Sequence, residues 1–542
     1  MVAGRPMKPE DVQVLRVPCS SALCRHGEPM ADAMTIRELI AGGDAGAPAI
    51  LAPGRPPLTR AGLRDHVDHA IAALAARQIG RNDRVAIVLP NGPEMATAFV
   101  AIAAGASTAP LNPAYRRQEF EFYLSDLRAR ALLVERGSTS EAIPVARALG
   151  MRILEIEAAA GARAGAFAFV DDAGSSAGDG EPPPAAEHVG PDDEALVLHT
   201  SGTTSRPKIV PLRQRNVCAS AANVGRALAL RPGDRCLNVM PLFHIHGLIA
   251  AILASLGAGA SVFCTPGFNA LRFFTWLAES DATWYTAVPT MHQAILARAE
   301  RNGEVIEASR IRLVRSSSSS LPPQVMAGLE AVFRVPAIES YGMTEAAHQM
   351  TSNPLPPRPR KPGTVGLAAG PAVGVMDEDG ALLEPGTVGE VVIRGANVTA
   401  GYENNPEANA KSFTDGWFRT GDQGVLDADG YLTITGRLKE IINRGGEKIS
   451  PREIDEVLMD HPAVQQVVTF AVPDTKLGED VAAAVVLRKG ERATDRELRE
   501  FAAARLAAFK VPRTILLLDE IPKGATGKLQ RIGLAEKLGL AG

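Results

Sequence analysis

Cysteine is scarce. The 542-residue chain has five, at Cys19, Cys24, Cys218, Cys236 and Cys264. They are too few and too scattered for a disulfide framework, and this usage fits a reducing compartment. The Cys19/Cys24/His26 cluster is half of a zinc-binding pattern, and no second pair follows it. An excess of one charge sign is lacking too. Lys and Arg number 57 against 61 Asp and Glu, a formal net charge of -4, which excludes a nucleic-acid binder working through a clustered basic surface. The N-terminus carries Arg5, Lys8, Glu10, Asp11 and Arg16 with no apolar run between them, so it does not read as a secretory signal. The stretch Gly247–Cys264 is uncharged over about the length of a short membrane span. It is rich in Gly, Ala and Ser and adjoins motif residues, so it is predicted to be a buried helix rather than a span. No fixed-period repeat, heptad pattern or collagen-like glycine period occurs. The C-terminal LGLAG is not a peroxisomal Ser-Lys-Leu type of signal, and the expected location is cytoplasmic.

What is present is ordinary globular composition, 46% hydrophobic and 22% charged, in a chain long enough for three or four structural units at roughly 150 residues each. From Thr59 the apolar positions Leu63, Val67, Ile71 and Leu74 fall at helical spacing. The run RVAIVL from Arg84 reads as a buried strand, followed by a PNGP turn, a helix over Glu94 to Ala104 and a strand over Ser107 to Pro110. Alternating helices and strands predict a parallel, doubly wound sheet. The Ala/Gly/Pro/Ser-rich segment Ala158 to Asp193 reads as a surface loop before the strand ALVLHT. Composition shifts again near Gly436. Beyond it, Pro451 opens a helix, the strands VVTFAV and AAAVVL follow, and a further helix starts at Asp495; this segment is expected to form its own α+β domain.

The motif TSGTTSRPK, Thr200 to Lys208, directly follows a predicted strand. Its hydroxyls, glycine and lysine on a post-strand turn can surround polyphosphate oxygens with donors. It is not a Walker A loop, because no second glycine precedes Lys208. Alone it would be matched by a plain polar turn. Downstream, however, PLFHIHG (from Pro241), YGMTE (from Tyr341), TGD (from Thr420), GRLKEIINRGGEKI (from Gly436) and PKGATGK (from Pro522) follow in order.

Those six ordered motifs resemble the adenylate-forming superfamily, which includes acyl-CoA synthetases, 4-coumarate–CoA ligases, luciferases and peptide-synthetase adenylation domains. The resemblance covers Met34 to the C-terminus. Ser205, with PLFHIHGL, ATWYTAVPT, MTEAAH, NPLPP and INRGGEKISP, is similar to a subfamily, the plant and yeast oxalate–CoA ligases. The resemblance implies an α/β fold: a large multi-subdomain N-terminal adenylation domain with doubly wound sheets (34–436, after an extension 1–33) and a small mobile α+β C-terminal domain (437–542). It implies a ligase that joins a small carboxylic acid to coenzyme A with ATP and Mg²⁺, by way of an acyl-adenylate. Acid, ATP and CoA are the expected partners, with no nucleic acid and no membrane span; monomer and homodimer both stay open. An acyl-CoA synthetase for another small, aromatic or fatty acid is the alternative.

By the same resemblance, Thr200, Ser201, Gly202, Thr203, Thr204 and Lys208 hold the phosphates and Thr344 meets the α-phosphate. Glu345 takes Mg²⁺, Tyr341 lies against adenine, and Asp422 takes the ribose hydroxyls with Arg437 nearby. Lys528 is the catalytic lysine bridging acyl and phosphate oxygens. Lys439 is the hinge of a domain rotation, Gly445 and Gly446 let pantetheine pass close to backbone, and Lys448 meets the adenylate during thioester formation. Ser318, His348 and His244 are expected on the acid's far carboxylate, with His246 an equal candidate for His244. A wall of serines (Ser316 to Ser320) and imidazoles would leave a fatty chain facing unsatisfied polar groups.

A metal site at His244 and His246 lacks accompanying ligands. GSSAG, Gly174 to Gly178, has the form of a nucleophile elbow but lies in a low-complexity stretch, so a serine hydrolase is rejected. A non-catalytic protein on this fold would not need Glu345, Asp422, Arg437 and Lys528 together. Arg358, Arg360 and Lys361 read as a solvated run, and His66 and His69 as surface residues. Ile209 departs from the glycine usual after the motif lysine; a positive φ there would strain a β-branched residue.

Overall fold

The computed structural model describes residues 33–170, 188–200, 207–522 and 529–540. Residues 1–32, the GSSAG motif, Ser201 to Thr204, Ser205 and Lys528 lie outside them. The described residues build four sheets. The first has seven strands in the order Ala168–Val170, Arg152–Glu157, Ala131–Glu135, Arg84–Val88, Ser107–Pro110, Glu194–His199 and Ile209–Arg213. Its five inner strands are parallel, and the two edge strands antiparallel. The second has nine strands, with a parallel centre that includes Arg235–Asn238, Trp284–Ala287, Leu313–Ser316 and Ala337–Met343. Apolar residues on both faces of these strands suit a sheet covered by helices on each side.

Between the two sheets lie the helix Pro93–Ala103, buried except at the partly exposed Glu94, and the helix His246–Leu253, buried throughout. A helix apolar all round has to sit inside a core. The second is wound in the wider π pattern, with the Ala254 N–H donating to the Ile249 carbonyl. The uncharged stretch from Gly247 is therefore a buried helix as expected as far as Gly257, and it then turns into the strand Ser261–Cys264. No helix among the described residues is long and apolar enough to cross a membrane.

Three sequence expectations are corrected. The segment Ala158 to Asp193 is not all loop, because Ala168–Val170 pairs antiparallel with Arg152–Glu157. His66 is not a surface residue: its ring packs edge-on to Phe167 at 4.4 Å, its Nε2 is buried without a partner, and burial lowers its pKa to about 4. Arg360 and Lys361 are tied down, Arg360 to Glu330 and Lys361 to Asp427 and Asp429.

A third, antiparallel sheet includes Gly389–Arg394, Trp417–Leu426 and Leu432–Arg437. The fourth begins at Ile442–Arg444 and is built on the long hairpin Val464–Asp474 with Gly478–Leu487. Helices Pro451–Met459 and Asp495–Ala503 cover it, each with one apolar stripe, as the periodicity beyond Gly436 predicts.

Candidate active site

Strand ends gather the motifs. The strand Glu194–His199 runs directly into Thr200, and the strand Ile209–Arg213 directly follows Lys208. The Thr200 N–H donates to the Lys208 carbonyl at 2.9 Å, and the Lys208 N–H to Thr200 Oγ1 at 3.2 Å, closing the loop at its neck. Ile209 lies opposite His199 in ordinary extended pairing, buried, and is not among the residues of positive φ. The strain feared at this position is absent, because the local backbone does not need glycine.

The Lys208 ammonium lies 4.1 Å above the Tyr402 ring, and the Tyr402 hydroxyl donates to Glu345 Oε1 at 2.7 Å. Burial raises the Glu345 pKa, against the pull of the Tyr402 hydrogen bond and of Lys208 and Arg437. Burial lowers that of Lys208, and Lys439 adds to the effect. The sequence reading missed Tyr402; its one signal was an aromatic after a glycine in the turn-rich TAGYENNP. No group of three or more His, Cys, Asp or Glu side chains forms a metal cage among the described residues. Glu345 offers a single buried carboxylate, which suits Mg²⁺, an ion that keeps water and phosphate oxygens as its other ligands.

Antiparallel register sets Asp422 opposite Arg437. The Arg437 Nε donates to Asp422 Oδ1 at 3.0 Å, and the Tyr341 hydroxyl donates to the other oxygen. Asp422 is almost fully buried, and it holds the Arg437 pKa above the ordinary range. Thr344 opens a single helical turn, Thr344–Ala346, after the strand Ala337–Met343. Ala347 and His348 then both take positive φ, 47° and 102°, reversing the chain into the strand His348–Ser352. Backbone of that kind in non-glycine residues stores strain and concentrates at functional sites.

Several of the residues expected on the acid gather near the carboxyl ends of parallel strands, where open α/β sheets bind ligands. Thr286 and Arg315 are register partners on adjacent strands. His246, from the buried π-wound helix, stacks on His348 with ring centroids 4.9 Å apart. Its Nδ1 lies 3.0 Å from Ser318 Oγ, and its Nε2 2.6 Å from Thr286 Oγ1. Of the two histidines left open, the structure thus brings His246 to Ser318 and His348. His244 is half-buried, with its Nδ1 accepting from the His246 N–H at 3.4 Å. The serine run divides. The Ser317 hydroxyl donates to the Ser340 carbonyl, Ser318 has positive φ (73°) beside His246, and Ser319 and Ser320 are exposed.

At the centre is a residue that sequence reasoning missed. Arg315 is fully buried, and its donors reach His246 Nε2 (3.2 Å), Thr286 Oγ1 (3.3 Å), His348 Nε2 (3.0 Å) and Gln349 Oε1 (3.2 Å). Among the described residues no carboxylate pairs with it, and burial lowers its pKa to about 9. The signal was one charged residue inside the buried-strand run LVRS.

Gly445, Gly446 and Lys448 lie on the hairpin formed by Ile442–Arg444 and Glu447–Ile449. Both glycines have positive φ (60° and 99°), as a two-residue turn between twisted strands requires. All three residues are exposed.

The chain is similar to known proteins over most of its length. A family model described as AMP-binding enzyme matches residues 41–403, and one described as AMP-binding enzyme C-terminal domain matches 453–528. The oxalate–CoA ligase of Arabidopsis thaliana is 46% identical over 489 residues, 89% of this chain and 94% of that protein. The oxalate–CoA ligase of Saccharomyces cerevisiae is 43% identical over 84% of this chain and 87% of its own length. The crystal structure of ATP-bound MatB from Rhodopseudomonas palustris superposes with a TM-score of 0.82 at 28% identity, covering 93% of this chain and 98% of that one.

Proposed function

Since the chain belongs to the AMP-binding enzyme family, we propose that it is an AMP-forming acid–CoA ligase whose acid is oxalate, giving oxalyl-CoA. One observation carries the choice of acid. Among the described residues the buried guanidinium of Arg315 has no carboxylate partner; it donates to His246 and His348, and His246 in turn meets Ser318. An apolar acyl chain would offer no acceptor to this polar wall, and a donor that it cuts off from water costs about 1–3 kcal/mol. A small acid with a second anionic end satisfies it.

In the first half-reaction an acid carboxylate oxygen attacks the α-phosphorus of ATP, and the bond to the departing pyrophosphate breaks. Charge builds on phosphate oxygens as this happens, and fixed cations and donors stabilise it. Thr200 to Lys208 hold the phosphates, with Lys208 braced on Tyr402, and Thr344 meets the α-phosphate. Asp422, aligned by Arg437, accepts from the ribose hydroxyls, and Tyr341 lies against adenine. Glu345 holds Mg²⁺, which offsets phosphate charge when bound. Lys528 bridges the acyl and phosphate oxygens. In the second half-reaction the CoA thiol attacks the acyl carbon and AMP leaves. The unit beyond about residue 436 rotates about Lys439 for this step, replacing Lys528 by the Gly445–Lys448 hairpin. Cytoplasmic residence belongs to the same reading, supported by three buried free thiols at Cys218, Cys236 and Cys264.

The test is CoA thioester formation from ATP, Mg²⁺ and CoA with oxalate, malonate, acetate, coumarate and a medium-chain fatty acid. Preference for oxalate is expected. Preference for a long or aromatic acid would keep the chemistry and discard the pocket. Lys528→Ala should lose acid-dependent ATP–pyrophosphate exchange while still passing preformed acyl-AMP to CoA; equal loss of both would contradict its role.

A further inference from the structure

Arginine is taken out of water in two ordinary ways elsewhere in this molecule, fully at Arg60 and partly at Arg312. Arg60 donates to the carbonyls of Gly42, Leu256 and Ala260. Arg312 pairs with the Asp234 carboxylate. Arg315 does neither. Its Nη1 donates to His246 Nε2 and Thr286 Oγ1, its Nη2 to His348 Nε2 and Gln349 Oε1, and its Nε is left without an acceptor. A folded core has no need for a cation whose partners are neutral rings, since burying it costs more than an apolar side chain of like volume.

A guanidinium only donates. Each imidazole nitrogen it faces must therefore be an acceptor, which leaves the ring hydrogen on the other nitrogen. The Thr286 hydroxyl accepts from Arg315 and lies 2.6 Å from the same His246 Nε2, so with Nε2 as acceptor its hydrogen shares that lone pair. His246 is thus a neutral ring with hydrogen on Nδ1, and that N–H donates to Ser318 Oγ at 3.0 Å. The Ser318 hydroxyl hydrogen is then directed away from His246. His348 is set the same way, with its hydrogen on Nδ1.

We propose that Arg315 is a positioning residue that fixes His246 and His348 as Nδ1–H tautomers, so that the pocket offers only hydrogen-bond donors to the far carboxylate of the acid. This rests on the reading of the pocket as the site of a small dicarboxylate. The guanidinium reaches the substrate through the two rings and Ser318, and specificity for a second anionic group follows from tautomer control at two histidines. A neutral hydroxyl or amide on the acid would meet the same donors with a weaker acceptor, since bonds to a charged group are roughly twice as strong.

The experiment has two arms. Histidine labelled with ¹⁵N in the wild-type enzyme, assigned with His246→Asn and His348→Asn, should show both rings neutral with Nε2 unprotonated. An Nε2–H signal from either ring would overturn the proposal, whatever the variants do. In steady-state kinetics Arg315→Met should raise the KM for oxalate about 10- to 100-fold, leave the KM for ATP within about twofold and narrow the preference for oxalate over acetate. Arg315→Lys should not rescue it, because one ammonium cannot span both rings as the planar fork does. Full rescue by lysine would assign charge alone to the position and overturn the tautomer role, as would an unchanged oxalate KM in Arg315→Met. If the wild-type enzyme made no thioester from any dicarboxylate, the functional reading would fail, whereas the ¹⁵N result would still report on the tautomers.

Discussion

Glu339 lies on the strand that leads into the Tyr341 motif, fully buried, with one oxygen accepting from the Leu321 N–H at 2.9 Å and the other unpartnered. Burial pushes its pKa up to about 7 from an ordinary 4.5. The folded state therefore holds a proton that the unfolded chain releases above about pH 4.5. The stabilisation is complete below that pH and is lost as pH rises through 7, amounting to about 3 kcal/mol. Glu339→Gln keeps the shape and removes the charge. Its thermal midpoint should match the wild type near pH 5 and exceed it near pH 8; equal midpoints at both would show that the carboxyl is not held neutral. Single residues of this kind escape a linear reading. Arg315 and Tyr402 carry no motif of their own, and each draws its meaning from partners 29 to 57 positions away.

Among elements, the hairpin from Ala337–Met343 to His348–Ser352 does the most to build the pocket. It carries Tyr341, Thr344, Glu345 and His348 through one tight reversal. Gly342 permits that reversal, because a Cβ there would lie 1.6 Å from the His348 carbonyl oxygen. Gly342→Ala must push the two strands apart. It is expected to destabilise by about 2–4 kcal/mol and to raise the KM for the acid, read by urea midpoint and kinetics. An unchanged midpoint would mean that the hairpin relaxes freely. The element itself was legible: YGMTE marked its site residues. The reversal at Ala347 and His348 was not, since positive φ in non-glycine residues is imposed by surrounding packing, not by local preference.

At the scale of the molecule, the small unit meets the large one through polar contacts. The Gln324 amide bonds to Asp460, Gln293 exchanges hydrogen bonds with Gln465 and Gln466 at 3.4 Å, and Arg452 donates to the Ile434 carbonyl at 2.6 Å. Interfaces of this polar kind let domains move. A disulfide made by Gln324→Cys with Asp460→Cys should hold the present arrangement. The oxidised enzyme is expected to keep acid-dependent ATP–pyrophosphate exchange and lose thioester formation, with reduction restoring it. Thioester formation at the wild-type rate under oxidation would mean that no rotation is needed.

Periodicity and turn chemistry are local, so the sequence by itself determined the strand Ser107–Pro110, the helices from Thr59 and Pro451, the α+β character of the last hundred or so residues, and the ordered motifs that mark the family. Tertiary structure alone decided that Ile209 is unstrained, that His246 rather than His244 faces Ser318, and that Arg315 joins two imidazoles instead of an acid. Those facts depend on which strand lies beside which and which face of a buried helix turns inward, relations between distant parts of the chain that no local preference encodes.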